Sequence, residues 1–479
     1  MKTATIQLEF ASILEIAKLF RRGKLSPIEL TRFVLDRIHK LNPRLNAYIT
    51  VCEEAALQMA AQAEAELCVR TKSKSRRDRG PLHGVPISLK DNIYTKDIRT
   101  TGGSKILKEF VPLHDAPVVT ALKRAGAVIL GKTNMHEFAY GATTENPHFG
   151  PTRNPWDRER IAGGSSGGSA AALAAGLCYG SIGTDTGGSI RIPASLCGVV
   201  GLKPGLGRVN PEDVIPLSPT LDFVGPLART VEDAALMMDP IFIRGKTEKA
   251  PLLAKTSSSG ARRPTLGIPK EFFLQVLDSE VEAAFRNAVT RLEKRGARLT
   301  EISLPQSEET EEVGNQIAWV EATVYHQQAG WFPDHAAEYS EEVYKRLELG
   351  TKVTAVDFLR ARTFRERFKE QVRHVFAAND LDALVVPTTP IAATQLGENS
   401  VSIRGTSYPT RALLLRLNRP ANLAGLPAVS VPCGFTKTGL PIGLQFIAEW
   451  TDEPLLLEIA RAFEREFPMA VHPQLPSLD

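Results

Sequence analysis

Apolar residues return at helical intervals through the opening of the chain. Leu8 to Phe20 predicts an amphipathic helix stopped by Gly23. A second helix is announced by Ser26 as N-cap, Pro27 at the first helical position and Glu29 closing a capping box. Leu30, Val34, Leu35, Ile38 and Leu41 form its apolar face, and Asn42-Pro43 predicts its end. An alanine-rich helix is expected to follow, up to about Leu67.

The period then changes. The run GVPISL reads as a buried strand, DAPVVTALKRAG as a helix capped by Asp115, and AVILG as the next strand. GVVGL, TLGIP, ALVVP, AVSVP and IGLQFI predict further strands. Helices fit Ser279–Arg295, Val353–Ala378 and Glu453–Arg465. Strands separated by helices predict an α/β fold with one mixed sheet covered on both faces. Residues 1–70 are expected as a helical segment packed on a core of residues 71–479, one structural domain overall. Gly245–Arg263 reads as the best internal loop, and no repeat of fixed period is present.

Composition narrows the field. A net charge of +4 on 479 residues favours neither nucleic acid nor a membrane surface as partner. The basic run RTKSKSRRDRG has no aromatics and reads as a solvated loop. The cysteines (Cys52, Cys68, Cys178, Cys197, Cys433) form no Cys-x-x-Cys pair, and no His-Glu-x-x-His is present. Neither a disulfide framework nor a metal site is expected from them. Reduced thiols, no transmembrane run and no N-terminal leader predict a cytoplasmic protein.

The candidate chemistry lies in AGGSSGGSAAALAAGLCYGSIGTDTGGSIRIPAS, residues Ala162–Ser195. A flexible linker would lack the helix former AAALAAGL, and a Walker loop would need a lysine that this stretch does not have. Glycines around a serine instead let backbone amides approach a reacting carbonyl. Thr186, Gly187, Gly188 and Ser189 can aim their N–H groups at one point as an oxyanion hole.

This stretch resembles the amidase signature: Gly163-Gly164-Ser165-Ser166-Gly167-Gly168, then Asp185, Gly187, Ser189, Ile190, Arg191, Pro193 and Ala194. GPLHGVPISLKDNI, AGAVILGKTNMHEFAYG, NPWDRERIAGGSSGG, RPANLAGLPAVSVPCGF and GLPIGLQFIA extend the resemblance over most of the chain. It implies a nucleophile at Ser189, a bridging serine at Ser165 after a cis Gly164–Ser165 bond, and a lysine at Lys90, with no cofactor and no metal. An unperturbed lysine near pKa ~10.4 is neutral in only roughly one molecule in 2,500 at pH 7. Burial beside Val85, Ile87 and Leu89 would favour the neutral amine that a serine needs as base. Asp185 and Arg191 are read as scaffold, Asp91 and Asn92 as loop-fixing groups, and Ser166 as divided between packing and a helping hydrogen bond.

The resemblance places the acyl group near Met135, Phe138, Tyr140, Gly163, Gly164 and Ile192. The segment around Ile317, Trp319 and Trp331 adds candidate walls. With no charge cluster evident there, an apolar or aromatic acyl group is expected. The expected activity is hydrolysis of small amides, with anilides, carbamates and esters open to the same machinery. The chain is expected to act as monomer or homodimer on a small-molecule amide, without nucleic acid or membrane. The alternative is the glutamine-hydrolysing A subunit of a tRNA-dependent amidotransferase. Ile192 stands where that protein has glutamine, and LGTKVTAVDFLRARTFRERF replaces its tyrosine-rich stretch. A non-catalytic binder on the same scaffold is the reading of another class, and the Lys90, Ser165 and Ser189 set argues against it.

Overall fold

The computed structural model describes residues 7–68, 78–245, 250–253, 263–466, 468 and 471–475. Most of the basic run and parts of the Gly245–Arg263 loop lie outside them. A mixed sheet of 11 strands forms the centre. From one edge its strands are Tyr48–Val51, Val128–Thr133, Pro86–Lys90, Gly180–Asp185, Phe223–Ala228 and Val200–Lys203. Ala428–Phe435, Pro441–Ala448, Ala383–Pro387, Thr265–Pro269 and Arg298–Ile302 complete it. Pro86–Lys90 pairs parallel with both neighbours, which places its C-terminal end beside that of Gly180–Asp185.

Local chemistry explains the helix starts. Ser12 with Glu15, and Ser26 with Glu29, close reciprocal capping boxes at Ile13–Arg21 and Pro27–Leu45. The second helix runs past Pro43, against expectation. Proline near a C-terminus removes one ladder bond, while Leu41 and Leu45 on the buried face keep the helix in place. Asn46 ends it at φ 52°, in the left-handed region. Asp115 does not cap the Pro117–Arg124 helix. Its carboxylate accepts from Lys96 N–H and from Lys123 Nζ, each at 2.8 Å.

The opening segment is not wholly helical. Tyr48–Val51 is an edge strand of the main sheet, paired antiparallel with Val128–Thr133. Arg37 donates to the carbonyls of Ala175 and Gly176, tying the segment to the end of the glycine-serine helix. That helix, Gly167–Ala174, is buried at every position. A Cβ on Gly168 would come within 2.5 Å of the Asn134 and Ala47 carbonyl oxygens, so the close approach requires glycine. Among the described residues no helix is long and apolar enough to cross a membrane.

Candidate active site

Lys90 ends its strand fully buried. Its Nζ donates to Ser165 Oγ at 2.7 Å and to Thr184 Oγ1 at 2.6 Å. Burial pushes the amine's pKa down to about 7, against the upward pull of Asp222 and Asp185. Every residue of Pro86–Lys90 is buried, and Val85 with them. Strand alternation turns Ile87 and Leu89 to the face opposite Lys90, so the burial of the amine is not owed to those side chains.

The Gly164–Ser165 bond is cis. Ser165 is fully buried and Ser189 is nearly so. The two loops touch through their backbones: Ser166 N–H donates to the Ser189 carbonyl at 3.2 Å. No hydrogen bond joins Ser165 Oγ to Ser189 Oγ among the described residues. Lysine and bridging serine are therefore in contact, and the serine at 189 stands next to them with its hydroxyl uncommitted.

Asp185 shapes the turn that carries Ser189. Its carboxylate accepts from Gly188 N–H at 2.8 Å and Ile190 N–H at 3.1 Å, and pairs with Arg191 at 2.9 Å. Against the upward push of burial, Arg191 holds the Asp185 carboxyl well below the usual range. Arg191 reaches on to Gln445 and to the Asn418 carbonyl. The Gly188 amide is thus spent inside the turn and does not face a substrate oxygen. The N–H groups of Thr186, Gly187 and Ser189 have no partner among the described residues and stay open to one. Asp91 accepts from Thr101 N–H at 3.0 Å, and Asn92 donates to the Ile215 carbonyl at 3.1 Å, both within the loops that follow Lys90.

A cavity of about 30 Å³, room for about one water molecule, opens on Ser189. Ala139, Tyr140, Thr186, Gly187, Leu217 and Leu221 line it, and from the far side Gly314, Ala318, Arg411, Leu415 and Arg419. Of the expected pocket residues, Tyr140 lines it. Met135 and Phe138 pack in an apolar cluster with Ala322 and Tyr339, and Ile192 in another with Leu196 and Leu414. A Cβ on Gly163 would meet Pro193 at 2.9 Å, and one on Gly164 would meet the Thr143 and Thr144 amides at 2.8 Å. These glycines make the loop's close approaches. Trp331 stacks on Phe138 at 5.5 Å, inside the first of those clusters.

The expected apolar pocket is corrected by Arg411 and Arg419. They were legible only in part: Arg411, Leu415 and Arg419 stand at i, i+4 and i+8 in RALLLRLNR, the spacing of one helical face. Thr184, which shares Lys90 with Ser165, gave no signal of its own. Its place follows from the parallel pairing of two strands distant in sequence.

A serine beside a buried lysine, on a wide mixed sheet, defines an α/β enzyme of the amidase-signature kind. The chain belongs to the family described as Amidase, whose model matches residues 29–457. It is similar to the A subunit of glutamyl-tRNA(Gln) amidotransferase from Carboxydothermus hydrogenoformans, 39% identical with 96% of this chain and 98% of that protein covered. The corresponding protein of Myxococcus xanthus is 40% identical over 96% of this chain and 98% of its own. A solved structure described as a crystal structure of amidase superposes with a TM-score of 0.86 at 35% identity, covering 95% of this chain and 100% of that one.

These matches correct the expectation about partners. Relatives matched along almost their whole length are by name subunits of a larger enzyme, so a chain acting only as monomer or homodimer on a small amide is not what the similarity supports.

Proposed function

We propose that the chain hydrolyses a carboxamide through an acyl-enzyme on Ser189 and acts as the amide-cleaving component of an amidotransferase, with glutamine as the amide donor. The observation that carries the chemistry is the buried contact of 2.7 Å between Lys90 Nζ and Ser165 Oγ. In the neutral amine one N–H stays with Thr184 Oγ1, and the Ser165 contact reverses so that the nitrogen lone pair accepts the Ser165 proton. Ser165 in turn receives the proton of Ser189 as that oxygen attacks the carbonyl carbon. This last link is open without substrate, as catalytic hydrogen bonds often are.

The open amides of Thr186, Gly187 and Ser189 receive the oxyanion. The proton held at Lys90 returns through Ser165 to the departing nitrogen, and the C–N bond breaks. Water then cleaves the ester, with its proton following the same path. Support for the amidotransferase reading comes from the relatives, which carry that enzyme's name and match along nearly their full length.

The test is twofold. A sulfonyl fluoride is expected to label the chain at Ser189 and to leave Ser189→Ala unlabelled. Ammonia release from glutamine is expected from the chain. Labelling at another residue sinks the acyl-enzyme. Labelling at Ser189 with cleavage of anilides and none of glutamine favours the second reading, a stand-alone amidase, for which the Ile192 departure speaks.

A further inference from the structure

Arginines inside this protein normally find acceptors. Arg191 has Asp185, Gln445, Asn422 and the Asn418 carbonyl, and Arg365 donates to the carbonyls of Leu423 and Thr220. The two that line the cavity over Ser189 do not. Arg419 is 7% exposed, its Nε has no partner, and its one hydrogen bond is a long 3.4 Å contact to the Glu311 carbonyl. Half-buried Arg411 makes no hydrogen bond and no ion pair among the described residues, and its Nε is buried without a partner. The Tyr140 hydroxyl, on the same wall, is also buried and unpartnered.

The guanidinium of Arg419 lies against the oxyanion loop. A Cβ on Gly187 would stand 3.5 Å from its Nε. No carboxylate lines the cavity. Glu342, the acid nearest in influence to Arg411, is engaged by Arg346 and by His136. Arg346 adds a further positive charge over the Tyr140 ring. Glu311 acts on Arg419 and Glu342 on Arg411 from outside the cavity, but neither forms an ion pair with them among the described residues. Two cations on one buried wall without a paired acid raise the free energy of the pocket. Burial first, and then repulsion from Arg346 and Arg419, push Arg411 down to about 9. An arriving anion removes that cost and gains charge-assisted hydrogen bonds.

We propose that this pocket takes an amide whose acyl half carries a carboxylate, held between Arg411 and Arg419 with the Tyr140 hydroxyl as a further donor. The proposal rests on the Ser189 acyl-enzyme reading and names its substrate class. The small cavity puts the carboxylate only a few carbons from the carboxamide, as in a monoamide of a short dicarboxylic acid. Glutamine carries the same carboxylate. Its ammonium group, however, meets no acid on the cavity wall. The recognition is therefore of the anion, and the deamino analogue suffices. Entry requires a wall side chain to turn, and Arg411 and Tyr140 are polar ones whose side chains no hydrogen bond holds among the described residues.

The experiment is protection of Ser189 from a sulfonyl fluoride, which needs no turnover. Glutaramate, the deamino form of glutamine, is compared with uncharged pentanamide on the chain and on Arg411→Met and Arg419→Met. Glutaramate is expected to protect at roughly 10–100-fold lower concentration than pentanamide, the scale of hydrogen bonds to charged groups. Each variant is expected to bring that ratio close to one. Equal protection by both amides on the unaltered chain overturns the carboxylate pocket and leaves the acyl-enzyme standing. A ratio unchanged in Arg411→Met overturns the assignment to these arginines, and that variant serves should Arg419→Met fail to fold. No labelling of Ser189 at all sinks the chemistry on which the proposal rests.

Discussion

Lys90 is held where a cation is least favoured, and burial pushes its pKa down to about 7. The base form of a group lowered from 10.5 to about 7 accumulates as pH rises through 7. The expected kcat/KM for a neutral amide therefore climbs between pH 6 and 8 and levels above, measured on one substrate across buffers of constant ionic strength. A profile falling over that range would remove the neutral-lysine base. Lys90→Met deletes the proton acceptor while keeping the apolar volume. It is expected to lower kcat by about 10²–10⁴, the range of general-base contributions, measured by ammonia release. At this scale the proposed trio of Ser189, Ser165 and Lys90 could be read from the motif. The arginines could not, because an unpaired charge is a property of what surrounds it.

The glycine-serine loop and the turn from Asp185 to Arg191 are the elements that place these groups. Asp185 accepts from Gly188 and Ile190 amides and from Arg191, so it holds the turn and the arginine together. Asp185→Asn leaves a buried guanidinium without its counter-ion and is expected to cost about 3–5 kcal/mol of stability, read from the urea midpoint. The sign with pH follows from the lowered carboxyl: its stabilisation is full above the unfolded value of ~3.9 and is lost as pH falls towards the folded one. Gly168→Ala drives a methyl into two carbonyl oxygens and is expected to destabilise by about 1–3 kcal/mol or to abolish folding, seen in the same titration.

Helices were the more legible elements, since capping boxes and Pro27 are local chemistry. Gly180–Asp185 (GSIGTD) and Phe223–Ala228 (FVGPLA) carry no such signal because glycine, proline and polar residues break the apolar run that marked the equally buried Pro86–Lys90. A strand without a wet side shows no alternation. Short, weakly patterned Tyr48–Val51 is a strand only because Val128–Thr133 offers it an edge.

At the scale of the molecule, the opening segment is part of the sheet's architecture. Its strand covers one edge, the Tyr48 hydroxyl donates to the Leu177 carbonyl at 3.0 Å, and Arg37 binds the end of the Gly167–Ala174 helix. A chain beginning at residue 71 is expected to be insoluble or to lose its cooperative thermal transition, read by circular dichroism. A soluble, cooperatively melting product would show that the core is independent of that segment.

The amino-acid order alone determined the capped helix starts, seven of the 11 strands of the main sheet, the α/β class and the motif that carries Lys90, Ser165 and Ser189, because capping, periodicity and a long spaced motif are carried by neighbours in the chain. Only the folded molecule decided which amide the turn consumes, which threonine shares the lysine, and that two arginines face a small cavity without an acid. Those outcomes depend on groups brought together from distant parts of the chain, and burial and the cancellation of charge exist only once the sheet has closed around them.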